Sequence, residues 1–306
     1  MKKILLILLT VLISLSILTC SRKPKTSCIY GDSIPANILE ITMKISGELI
    51  QDFENKDFDK LYDAGSDSLK KAQTREQFKL VLEGITTDLT NLEFPQLREA
   101  YYLKNKAGKK FQVVSISCNL GGENLNDLYL APPNSELVSM IYSSMSDQGS
   151  VHIFMELIND AGNWKLFSMV PGLETLRGKN VEDYVNMARK AREEGKPRLA
   201  LLYYKIAFLL SDMSPNVMEF VSRKVAEEMA QVKADYMPAG VPQIWTLSDT
   251  HFEVYNVDVF IERGEPWVNL DWIVDSFDDT KKLEESSEKL LNFAFERFPE
   301  AKEFFK

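Results

Sequence analysis

Histidine and cysteine are scarce in this 306-residue chain, which holds two of the first and three of the second. Two imidazoles, His152 and His251, exclude a histidine-rich metal centre, and three thiols cannot encode a disulfide framework. Basic charge is also in deficit: 36 Lys and Arg against 45 Asp and Glu leave a formal net charge of −9. That balance excludes general nucleic-acid binding, which needs a basic footprint. There is no phosphate-cradling glycine loop, no G-x-S-x-G, no H-E-x-x-H and no C-x-x-C. A carboxylate-only enzyme survives this filter, because paired acids leave no local signature. What the chain has in quantity is core material: 45% hydrophobic and 26% charged residues describe a globular protein with enough interior for two or three domains.

The first 19 residues differ from the rest. Lys2 and Lys3 precede Ile4 to Thr19, 16 residues without a charge. The run is shorter than the roughly 20 residues a membrane-spanning helix needs, and it has the form of a secretory signal peptide. Its end, Ile17-Leu18-Thr19-Cys20, resembles the lipobox of bacterial lipoprotein precursors, with Thr19 where Gly, Ala or Ser is usual. The resemblance implies cleavage before Cys20 and a diacylglycerol thioether on its sulfur. At about 0.8 kcal/mol per buried methylene, two or three acyl chains hold a protein on a membrane durably where one does not. Ordinary cleavage after Ser21 and an uncleaved signal anchor are the alternatives. The implied location is the cell envelope, facing the periplasm or exterior. Ser21, in place of an inner-membrane-retaining aspartate, leans toward the outer membrane.

Residues 20–35 read as a polar tether in which Arg22, Lys23 and Lys25 would meet lipid headgroups. With Cys20 given to lipid, Cys28 and Cys118 are the candidate disulfide, or they stay free; spacing alone cannot supply the geometry a bridge needs.

Residues 36–174 read as an α+β domain. Ile38, Ile41, Ile45, Leu49, Ile50 and Phe53 lie three, four or one apart, as one helix face requires. A short helix follows through Phe58, Leu61 and Tyr62, and Thr74 with Gln77 forms a capping box opening a third helix over Phe78 and Leu82. Strands are expected at Leu97–Lys104, Phe111–Asn119, Val151–Ile158 and Trp164–Val170, the last two as a hairpin. The stretches ELIQDFENKDFDKLYDAGSDSLKKAQTREQF and FMELINDAGNWKLFSMVPG resemble the NTF2-like superfamily, which implies three helices and a curved antiparallel sheet forming a cone. The segment GGENLNDLYLAPPNSELVSMIYSSMSDQG departs from that pattern and is expected to be an insertion capping the cone. Catalytic members of the superfamily place His with Asp or Tyr inside the cone. Here His152 and Glu156 share a strand face, as a weak acid/base pair or as an exposed cross-strand polar pair.

Residues 178–235 change period. NVEDYVNMARKAREEGKPRLALLYYKIAFLLSDM resembles one tetratricopeptide repeat: Tyr184, Met187 and Ala188 on the first helix, Gly195 at the turn, and Ala200, Tyr204 and Ala207 on the second. A third helix is expected from Pro215 to about Asp235. One repeat cannot make a solenoid, so a spacer or docking hairpin is the expectation. A linker at 236–243, with two prolines and a glycine, precedes a small α+β unit at 244–306: two strands, Phe252–Glu262 and Trp267–Asp275, then a helix capped near Asp279. Asp271, Asp275, Asp278 and Asp279 lack the glycine and ligand spacing of a calcium loop and are read as capping and solvated-face residues.

The expectation is therefore an envelope lipoprotein serving as a non-catalytic binding or scaffolding platform, with an envelope protein or a small apolar ligand as partner and with no cofactor, metal or nucleic acid. Two alternatives stand beside it. One is an envelope hydrolase or isomerase using His152 and Glu156 in the pocket; the other is a secreted or signal-anchored ligand-binding protein.

Overall fold

The computed structural model describes residues 26–299 apart from 90, 91, 94, 107–109, 121, 122, 148, 212–216, 219, 236, 249, 263, 275–277 and 298, and describes only the backbone of 87, 88, 112–120, 123–131, 217, 218, 220, 221 and 239. The leader and Cys20 lie outside the described residues. The fold is mixed α+β.

Four helices line one face of a five-stranded antiparallel sheet. They are α1 (Ala36–Glu54), α2 (Phe58–Asp63), α3 (Asp67–Ala72) and α4 (Arg75–Asp88). The sheet runs β1-β2-β5-β6-β7, from β1 (Thr26–Tyr30), β2 (Gln96–Asn105), β5 (Ser135–Ser146), β6 (Gly149–Asp160) and β7 (Asn163–Leu173). Phe53, Phe58, Leu61, Leu69, Phe78 and Leu82 from the helices meet Tyr102, Met140, Ile153, Met155 and Leu157 from the strands in one buried cluster. Both bonds of the expected capping box form: the Gln77 N–H donates to Thr74 Oγ1 and the Thr74 N–H to Gln77 Oε1. Helix α3 was not expected; the Ser66 hydroxyl starts it by accepting from the Leu69 N–H. Ile41, placed on the buried face by spacing, is 44% exposed, and Thr42 and Ser46 are buried in its stead.

Three expectations are corrected. The residues read as a tether at 20–35 include β1, which pairs antiparallel with β2 (Cys28 opposite Leu103) and so satisfies that strand's open edge. The residues read as a cone-capping insertion instead supply β4 (Glu123–Ala131) and β5, and β5 lies at the centre of the sheet. Leu137, Val138, Met140 and Ile141 of β5 are buried on both faces, which removes the alternation that marks a one-sided strand. The 236–243 linker overlaps β9 (Ala239–Leu247). Its Gly240 and Pro242 fall where the register jumps between Val254–Gln243 and Asn256–Ala239, so the turn-like residues sit in a bulge of an edge strand.

Strand β3 (Gln112–Leu120) forms a hairpin with β4, and β4 also pairs with the two-residue β8 (Val217–Met218). Beyond β7, α5 (Val181–Glu193) and α6 (Pro197–Ser211) form the expected antiparallel hairpin. At its turn Gly195 has φ +72°, and the N–H groups of Gly195 and Lys196 donate to the carbonyls of Arg192 and Ala191, closing a Schellman motif. Tyr184, Ala188, Ala200, Tyr204 and Ala207 are all buried. Helix α7 (Phe220–Ala230) is shorter than the 215–235 helix expected, since β8 precedes it. The C-terminal sheet has three strands, β11-β10-β9, with β10 (Thr250–Glu262) central and β11 (Glu265–Ile273) joined to it as read from sequence. Helix α8 (Thr280–Arg297) is capped by Asp279, whose Oδ1 accepts from the Lys282 N–H, and it buries Leu290, Phe293 and Ala294 while Leu291 is exposed. The helical hairpin, this sheet and α8 share one apolar cluster, so the hairpin and the C-terminal unit have a common core.

Candidate functional site

Strand alternation decides where the two sequence-picked side chains go. Ile153, Met155 and Leu157 of β6 face the helices, and His152, Phe154 and Glu156 therefore face the other way. Both expected positions, inside the helix-lined cone or exposed to solvent, are replaced by burial on the opposite face: His152 is 1% and Glu156 0% exposed. Four residues along a strand separate their Cα atoms by about 13 Å, too far for a hydrogen-bonded acid/base pair. Glu156 instead accepts a 3.3 Å hydrogen bond at Oε1 from the hydroxyl of Ser139, its cross-strand partner.

His152 lies between Ser143 on β5 and Gly172 on β7, and neither of its ring nitrogens has a hydrogen-bond partner among the described residues. A Cβ at Gly172 would sit 2.9 Å from the imidazole Cε1 and Nε2, so the ring occupies space that any other residue at 172 would fill. Burial, assisted by the nearby Arg98 charge, lowers the His152 pKa from 6.5 to about 4. A neutral imidazole is thus fixed behind Gly172, which lines a largely apolar cavity of about 250 Å³ with Leu89, Leu173, Leu210 and Phe260.

A larger cleft opens elsewhere, between α1 and the start of β2. Its volume is about 670 Å³ and its lining runs along one stripe of α1 (Met43, Gly47, Ile50, Gln51, Glu54) and across Pro95, Gln96, Leu97 and Tyr142. The spacing of that stripe, four, three, one and three, is a helix face. At the back, the Tyr142 hydroxyl is 2.5 Å from Ser46 Oγ, which fixes the ring; burial raises the Tyr142 pKa. Burial also raises the Glu54 carboxyl above its ordinary value. None of these residues was read as a site from the sequence; Ile50 was placed on a helix face and Leu97 at a strand start. The available signal was Gly47, a glycine in the middle of an otherwise regular helix.

Cys28 is in a disulfide. Cys118 belongs to β3, whose backbone lies beside β1, but its side chain is outside the described part. Among the described residues no three His, Cys, Asp or Glu side chains converge to hold a metal ion, and no helix is long and apolar enough to cross a membrane. No protein-family model matches the chain, no curated protein matches it, and no solved structure matches it.

Proposed function

We propose that the chain is a lipoprotein of the bacterial cell envelope, held on a membrane through acylated Cys20, and that its folded part is a non-catalytic binding platform. The lipobox-like leader supports the anchor. The disulfide at Cys28 supports an oxidising compartment, and we assign Cys118 as its partner, leaving Cys20 for lipid. Residues 36–174 are read as an NTF2-like domain with an added β-hairpin, and 178–235 as a tetratricopeptide-like hairpin that serves as a spacer.

The observation that carries the binding reading is the 670 Å³ cleft between α1 and β2, which falls within the usual size of small-ligand sites. The competing enzyme reading rests on His152 and Glu156, and their separation along one strand argues against it. Metabolic fatty-acid labelling of the wild type and of Cys20→Ala in the native host tests the anchor. Label on the wild type that disappears in the variant is the expected result. Label on neither protein would leave a secreted or signal-anchored protein and remove the lipid from the proposal.

A further inference from the structure

We propose that the α1–β2 cleft takes an amphipathic amine, an apolar body with a cationic N–H-donating head, and that Glu54 receives the head. The inference rests on the reading of this cleft as a ligand site and adds the chemistry of its occupant.

Met43, Ile50, Pro95 and Leu97 make an apolar channel, while Gln51, Gln96 and Glu54 supply the polar groups. Among the described residues Glu54 is the only charged one lining the cleft, and no ion pair or hydrogen bond to its carboxylate is formed there. Glu54 is itself exposed, and the partial desolvation it meets beside the cleft raises its carboxyl; an ammonium group seated there gains a charge-assisted hydrogen bond. An anionic head would meet like charge at the same place. Tyr142 is engaged with Ser46 and shapes the back wall.

Gly47 is the second observation. Glycine inside a helix is less stable than alanine there. Among the described residues no atom would lie within 4 Å of a Cβ at Gly47. The missing side chain leaves the cleft open along the helix stripe that lines it.

The test is calorimetric titration of the purified protein with decylamine and with decanoate, two probes of equal chain length and opposite head charge, both below their micelle concentrations. Decylamine should bind one to one and decanoate about tenfold more weakly or worse. Glu54→Gln should lower decylamine affinity about tenfold and erase the preference between heads. Gly47→Trp, whose ring enters open space, should abolish binding of both probes while the thermal melt shows a folded protein. Equal binding of the two probes, unaffected by Glu54→Gln but lost in Gly47→Trp, would overturn the amine assignment and keep the cleft as a ligand site. Saturable binding of neither probe to the wild type, or undiminished binding to a folded Gly47→Trp, would overturn both.

Discussion

His152 is the residue whose environment most directly sets a measurable property. Its pKa is lowered to about 4 in the folded chain against 6.5 when exposed, so between those values the unfolded chain binds a proton that the folded chain refuses. Stability from this group is therefore complete above pH 6.5 and declines as pH falls toward 4, by about 3 kcal/mol at most. His152→Leu should remove this slope from a series of urea melts, and at pH 7 it should be neutral or stabilising by about 1 kcal/mol because two orphaned nitrogens disappear. A variant that keeps the acid-side slope would show that other groups produce it. The contact with Gly172 gives a second prediction. Gly172→Ala should destabilise the protein by about 1 to 3 kcal/mol in the wild-type background and much less beside His152→Ala, a coupling that a double-mutant cycle reads. Additive effects would mean that the imidazole is not what excludes the methyl group. The sequence displayed His152 plainly. Its burial was not legible, because strand alternation gives two faces and does not say which one a second layer covers.

At the scale of elements, local chemistry was read well where both partners lie within a few residues. Thr74 with Gln77 and Gly195 with its flanking helices are cases in which the terminating hydrogen bonds come from the same short stretch. Gly195→Ala should cost about 1 kcal/mol, since φ +72° is strained for any residue with a Cβ, and denaturant melts at fixed pH would show it. No loss would mean that the turn relaxes to another conformation. Strands whose own residues lack the strand pattern were misread. β5 is apolar on both sides and β9 carries Gly240 and Pro242, so one lacks the expected period and the other bears turn residues. Each becomes a strand only because a neighbouring ladder offers its hydrogen bonds. The α1–β2 cleft was missed for a related reason: part of its lining belongs to Pro95, Gln96, Leu97 and Tyr142, which no helical pattern in α1 points to.

At the scale of the whole molecule, the described residues form two principal cores. One lies between α1–α4 and the five-stranded sheet; the other joins α5, α6, β9–β11 and α8. Trp245 and Phe293 meet in the second, with ring centroids 5.8 Å apart. Phe293→Ala should cost about 3 kcal/mol or more there. Hydrogen exchange should then show lost protection in α5 and α6 together with β9–β11, with the amides of β5 and β6 nearly unchanged. Loss confined to the C-terminal strands would mean that the hairpin holds its own core and that 244–306 is a separate unit.

The sequence by itself determined what depends on composition and on near neighbours. It set the acidic balance, the uncharged apolar run ahead of Cys20, the helical periods, the caps and turns, and the α+β class. Those features are recorded within a few residues and need no partner from elsewhere in the chain. Tertiary structure alone decided which face of β6 carries His152 and Glu156, that β5 completes the sheet, that the hairpin and the C-terminal strands share a core, and that a cleft opens along Gly47 and Glu54. Each of these is a relation between surfaces brought together from distant positions, and burial, orphaned hydrogen-bonding groups and empty volume come into existence only when those surfaces meet.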